Sequence, residues 1–206
     1  MTDVHRALAE IRSIRGQMAR GTEFRGYGPS ALSATGLLAI CAALMQIHWL
    51  PDATRNLSHY LTLWVSTAVI SLTLIGVQAV LRSRRVHSGL AMEMVRSAME
   101  QFLPPLVAGL LLTVVLVRCA SSSAWMLPGL WQVLFSLGVF ASCRFLPRQL
   151  FAVGVWYLAA GLGCLVLGPG RALSPWAMGV PFGVGQLLVA LVLRFGYREM
   201  EFDEHS

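Results

Sequence analysis

Long uncharged apolar windows alternate with short polar breaks along most of this chain. No Asp, Glu, Lys or Arg occurs from Ala31 to Leu50, nor from Tyr60 to Leu81. Windows of about 20 such residues match the hydrocarbon thickness of a bilayer. Six are present: Pro29–Leu50, Tyr60–Leu81, Phe102–Val117, Ala124–Ser142, Gln149–Gly168 and Pro175–Leu193. Lipid offers no hydrogen-bond partner to bare backbone, so each window is expected to be helical. The predicted fold class is all-α, a polytopic bundle of six transmembrane helices.

Ahead of the first window the pattern changes. Val4, Ala7, Leu8, Ile11, Ile14 and Met18 share one helical face, and Arg6, Glu10, Ser13, Gln17 and Arg20 the other. Asp3 is placed to cap this helix. A helix of this kind rests at a membrane interface. The chain thus divides into an amphipathic arm and Gly-rich hinge (1–28), a six-helix transmembrane domain (29–196) and an acidic tail (197–206). The stretch Ser88–Gln101, with Met92, Met94 and Met99 among charges, leads into the third window, and Pro104 and Pro105 mark its entry.

Weak repetition accompanies the pattern. An aromatic residue followed by proline opens each odd-numbered span: Phe24 with Pro29, Phe102 with Pro104, Phe145 with Pro147. Trp and Pro recur in the three intervening turns: Trp49 with Pro51, Trp125 with Pro128, Trp176 with Pro175. Three similar hairpins would produce this, and so would the interfacial preference of Trp and the helix-start preference of Pro.

Charge sets the orientation. Of the 16 basic residues, all arginine, only Arg55, Arg118 and Arg171 fall outside when the N-terminus is cytoplasmic. That bias places both termini in the cytoplasm. The net charge of +6 then reflects topology and anionic headgroups, and nucleic acid is not an expected partner. Residues 1–28 contain no continuous apolar core, so the first span is expected to insert uncleaved. The expected compartment is a bacterial inner (plasma) membrane.

Candidate chemistry is sparse. The cysteines Cys41, Cys119, Cys143 and Cys164 form no C-x-x-C pair. Ser136 has no histidine in the last three spans to serve as its base. His48, His59 and Asp52 share one side but make only an adventitious metal set. Spans without Asp or Glu disfavour a carboxylate proton relay, and a chain without lysine cannot form a Schiff base. No catalytic residue, cofactor or metal is expected.

What remains is amides and small residues. Gln46, Gln78, Gln132 and Gln186 lie in four different spans. Buried amides in lipid bind helices together, and they can also line a path for a neutral solute. Gln46, Gln132 and Gln186, with the expected helix break at Pro181, make up that candidate path. Ala31, Thr35, Ala39 and Ala43 recur every four residues; Gly154, Gly161 and Gly168 recur every seven, as do Gly129, Ser136 and Cys143. Gly179 and Gly183 flank Pro181. Such stripes permit close helix approach within the bundle, or in a homo-oligomer.

The hinge offers Arg20, Glu23, Arg25 and Tyr27 at headgroup height, suited to an anionic lipid or to a protein partner at the cytoplasmic face. It is not a phosphate loop, since lysine and a preceding strand are both missing. Two functions stay open. One is a non-catalytic membrane subunit or regulatory scaffold. The other is a transporter or channel for a small neutral or weakly polar solute.

Overall fold

The computed structural model describes the backbone of residues 29–50, 52–86, 89–143 and 149–203. The expected amphipathic arm, with Arg20, Glu23, Arg25 and Tyr27, lies outside the described residues. Six α-helices follow in order: α1 Pro29–Trp49, α2 Leu57–Val86, α3 Gly89–Cys119, α4 Leu127–Ser142, α5 Leu150–Val166 and α6 Pro175–Asp203. A 3₁₀ turn, Ser121–Met126, leads into α4. No strand occurs among the described residues. Apolar stretches of membrane-spanning length lie in α1, α2, α3 and α6 and in the 3₁₀ turn and α4 taken together (Ser121–Ser142), and α5 is a shorter apolar helix of 17 residues.

Two elements outrun their sequence boundaries. The stretch expected to lead into the third span is continuous with it, so Pro104 and Pro105 sit inside α3. The backbone bonds they cannot donate would reach the carbonyls of Glu100 and Gln101, at the polar margin of the apolar stretch, where other partners are within reach. Likewise, the acidic tail begins as a continuation of α6.

Each helix packs on its sequence neighbours, and α6 returns to α1, giving a closed up-down circuit. The two ends of this circuit differ. One carries the α1–α2 turn, the 3₁₀ turn and the α5–α6 turn, with Trp49, Trp125 and Trp176; we call it the tryptophan end. The other carries the connections after α2 and α4, where the sequence is rich in arginine.

Small residues decide which neighbours come closest. The α1–α6 and α4–α5 interfaces are the most extensive, and α2–α3 is the slightest of the circuit. At α1–α6, a β-carbon on Gly183 would stand 2.8 Å from Ile40 Cγ1, and one on Gly36 3.1 Å from the Gly183 carbonyl oxygen. At α4–α5, one on Gly161 would stand 2.7 Å from the Gly129 carbonyl oxygen, and one on Gly129 2.8 Å from the Gly161 carbonyl oxygen. Bare backbone meets bare backbone in that second seam. The α5 stripe ends at Gly161, because Gly168 lies in the turn beyond the helix with φ +72°. That left-handed conformation favours glycine and stops α5.

Aromatic rings fill the middle of the bundle. Phe135 of α4 lies 5.3 Å from Phe102 of α3 and 4.6 Å from Tyr157 of α5, between ring centroids. Tyr157 in turn lies 5.2 Å from Phe182 of α6. One ring chain thus links α3, α4, α5 and α6.

Candidate functional site

The polar side chains of the interior form two groups. The first lies near the tryptophan end. Gln46 on α1 is 1% exposed. Its Nε2 donates to the Leu173 carbonyl oxygen at 2.8 Å, and its Oε1 accepts from Trp64 Nε1 at 2.8 Å. One amide therefore joins α1, α2 and the α5–α6 turn. Buried apolar Ala42, Ala43, Tyr60, Leu173 and Met178 pack around it. Cys164 Sγ donates to the Ala172 carbonyl oxygen at 3.6 Å close by in that turn.

The second group surrounds Pro181. Proline has no N–H, so the carbonyl four residues earlier, Ala177, loses its helical donor. Gln132 Nε2 of α4 donates to that carbonyl oxygen at 2.9 Å. The interhelical amide thus replaces the missing backbone bond. From α5, Trp156 Nε1 donates to the Pro181 carbonyl oxygen at 3.0 Å. With the orphaned Ala177 carbonyl held by Gln132, α6 continues as one helix through the proline. The helix break expected there is absent, and Gln132 stands in for the missing donor.

Gln186 lies about one turn further along α6. Its Cβ bounds the space over Gly36 of α1, and its amide faces the Tyr157 hydroxyl of α5. The Tyr157 ring covers Gly185, where a β-carbon would collide with it. Gln132 Oε1, Gln186 Oε1 and Tyr157 Oη are buried without a hydrogen-bond partner of ordinary geometry, as is Tyr60 Oη near the tryptophan end. A buried acceptor left so costs roughly 1–3 kcal/mol.

The four candidate-path positions are therefore not one set. Gln132 and Pro181 meet through Ala177. Gln186 lies on the same helix beside Tyr157. Gln46 belongs to the other group. Gln78 makes a further tie: its Nε2 donates to Ser30 Oγ at 2.9 Å, joining α2 to the start of α1.

Sequence reasoning missed Trp64 and Tyr157 beside these amides, and Trp156 as a donor to the Pro181 carbonyl oxygen. Indole N–H groups bury only with an acceptor in reach, so pairing intra-span Trp with intra-span Gln was the available signal. It likewise missed Trp131 Nε1, which donates to Thr113 Oγ1 at 2.9 Å between α4 and α3.

Two cavities stand out, and both open at the surface. One, of about 320 Å³, is lined by Trp49, Leu50, Asn56 and His59 at the tryptophan end. The other, of about 410 Å³, is a furrow between α1 and α2 toward the arginine end, walled by Ala31, Ala34, Leu74, Val77 and Leu81, with Ser30 and Gln78 beside them. Neither is lined by Gln46, Gln132 or Gln186.

Among the described residues no group of three or more His, Cys, Asp and Glu is placed to share a metal ion. Asp52 instead lies 4.0 Å from Arg55, an exposed and weak pair. The four cysteines are free thiols. Burial raises the Cys143 thiol in the turn after α4 above its ordinary pKa, which keeps it protonated and poorly nucleophilic at neutral pH.

Fold and interior together define an all-α bundle of apolar, membrane-compatible helices held by interhelical amides. Comparison with protein-family models, curated proteins and solved structures gives no match. The functional reading rests on the chain's own residues.

Proposed function

We propose that this protein is a non-catalytic, multi-pass subunit or regulatory scaffold of a bacterial plasma membrane. It has both termini in the cytoplasm and receives a lipid or protein partner at its cytoplasmic, arginine-rich face. One observation carries the reading. Gln46 and Gln132, two of the candidate-path amides, donate across helix boundaries instead. These two amides thereby hold helices together, and the chemistry left for a partner is arginine and apolar surface at one end.

The alternative is a carrier or channel for a small neutral or weakly polar solute. It is supported by the unpartnered Gln186 Oε1, Tyr157 Oη and Gln132 Oε1. The surface position of both cavities weighs against it.

The test is crosslinking in intact membranes from the cytoplasmic side. In a background with the four native cysteines replaced, Asp3→Cys and Asp203→Cys are expected to label from the cytoplasm. Deleting residues 1–19 is expected to release a crosslinked protein partner while the bundle stays inserted. Labelling from outside sinks the topology. A partner retained after the deletion reduces the arm to an anchor.

A further inference from the structure

The furrow between α1 and α2 has a cause in the packing. Near the tryptophan end the two helices are drawn together by Gln46, Trp64 and the buried alanines around them. Toward the arginine end the junction is thinner. Ile75 packs on Leu32 on its inner side, and Gln78 reaches Ser30. The outer side of that junction is left hollow, because α1 presents only Ala31 and Ala34 to it. Across from them Leu74, Val77 and Leu81 are 44%, 52% and 54% exposed. The hollow therefore faces away from the bundle, where lipid lies in a membrane-spanning chain.

We infer that this furrow holds one acyl chain of an anionic phospholipid whose headgroup is met by the arginine run that follows Leu81 in the sequence. Length fits: Thr73 to Leu81 spans about 12 Å of helix, close to one leaflet's share of the ~30 Å hydrocarbon core. Polarity fits as well. The walls are mostly apolar, and the Gln78–Ser30 amide–hydroxyl pair stands about one turn inside Leu81.

Charge gives the sign of the headgroup. From Leu81 to Met92 the sequence carries Arg82, Arg84 and Arg85 and no acidic residue. Each basic residue near a membrane surface favours anionic lipid by about a factor of five. A second copy of this chain or a partner helix would equally cover an apolar furrow. Neither calls for the three arginines that the sequence places within four residues of Leu81.

The inference rests on the lipid half of the proposed function, and native mass spectrometry of the full chain tests it. The probes are phosphatidylglycerol and phosphatidylcholine with identical acyl chains. Wild type is expected to retain phosphatidylglycerol at least about tenfold over phosphatidylcholine. Ala34→Phe and Val77→Phe, two bulky changes at exposed furrow positions, are expected to lower retention of both lipids, with thermal unfolding confirming an intact bundle. The triple change Arg82→Gln, Arg84→Gln and Arg85→Gln is expected to erase the headgroup preference while keeping chain retention.

Equal retention by wild type and both furrow variants overturns the inference, as does wild type without headgroup preference. A dimer, or a co-purifying protein, that Ala34→Phe dissolves while lipid retention is unchanged assigns the furrow to that occupant and overturns it too. Lipid retention as expected, with no protein crosslinked at the cytoplasmic face, leaves this inference standing and removes only the protein half of the proposed function.

Discussion

The α4–α5 seam and the α2–α3 seam occupy equivalent places between successive hairpins, yet they differ in kind. At α4–α5, Gly129 and Gly161 bring two backbones into contact, and Val153, Gly154 and Tyr157 of α5 are buried. At α2–α3 the helices barely meet. No residue in the apolar window of α3 is buried, and few are in that of α2. Gly76 of α2 has nothing within 4 Å of where its β-carbon would be. Apolarity does not separate the two seams, because all four helices are apolar. In lipid there is little hydrophobic force to drive one apolar helix against another, so close approach needs small residues facing each other and amides with partners. The α4–α5 seam has facing glycines, and the α2–α3 seam has none that face.

The largest effect is therefore expected at Gly161. Gly161→Val places its β-carbon against the Gly129 carbonyl oxygen, a backbone atom that cannot rotate away. Overpacking of this kind costs about 1–3 kcal/mol, and the upper end applies where backbone must move. Unfolding in mixed detergent and dodecyl sulfate micelles should show a loss of about 3 kcal/mol. A loss below about 1 kcal/mol would mean that α4 and α5 can part without consequence, and the contrast between the seams would collapse.

A middle-sized effect sharpens how the tight half of the bundle tolerates a proline. Gln132→Leu strips the Ala177 carbonyl of its donor. Interhelical bonds in membranes average about 0.6 kcal/mol, and removal of a buried donor raises that toward 1–2 kcal/mol. In a Pro181→Ala background, residue 181 regains an N–H that can serve the same carbonyl. Gln132→Leu should then cost less, with a coupling of about 1 kcal/mol in the double-mutant cycle. Additive costs would show that Gln132 and Pro181 act independently.

Much of this architecture was legible from the alternation of apolar and polar stretches, because lipid thickness and backbone hydrogen bonding leave few other solutions. The six windows coincide with the cores of the six helices. The stripes at Thr35, Ala39 and Ala43, at Gly129 and Gly161, and at Gly179 and Gly183 do mark buried faces, while Ala31, which opens the first stripe, is only half-buried and lines the furrow. Three things were out of reach. Gly168 shares the seven-residue spacing but serves as a helix stop, and spacing alone cannot tell a packing glycine from a left-handed one. Pro181 suggested a broken helix, because the donor that seals it stands 49 positions earlier, at Gln132, in another span. The unequal seams were hidden as well, since the packing partner of a small residue is set by three-dimensional neighbours rather than by its own helix. For the candidate site, the amides were visible as residues, but their indole and carbonyl partners were not.

The smallest effect asks whether the slack seam is slack by design. Glycine inside a helix is about 0.8–1.0 kcal/mol less favourable than alanine. Gly76 lies in the interior of α2 and its surroundings are open, so nothing in the bundle pays that cost back. Gly76→Ala should accordingly stabilise the isolated protein by about 0.5–1 kcal/mol in the same micelles, the opposite sign to Gly161→Val. The informative step is to repeat the measurement in bilayers. If the sign holds there, the α2–α3 seam is simply lipid-facing, and the glycine is tolerated because α2 is long and apolar. If it reverses only in bilayers, something approaches α2 closely at Gly76 when the membrane is present. The seam would then be a place kept clear for a neighbour, and its looseness a property of the isolated chain.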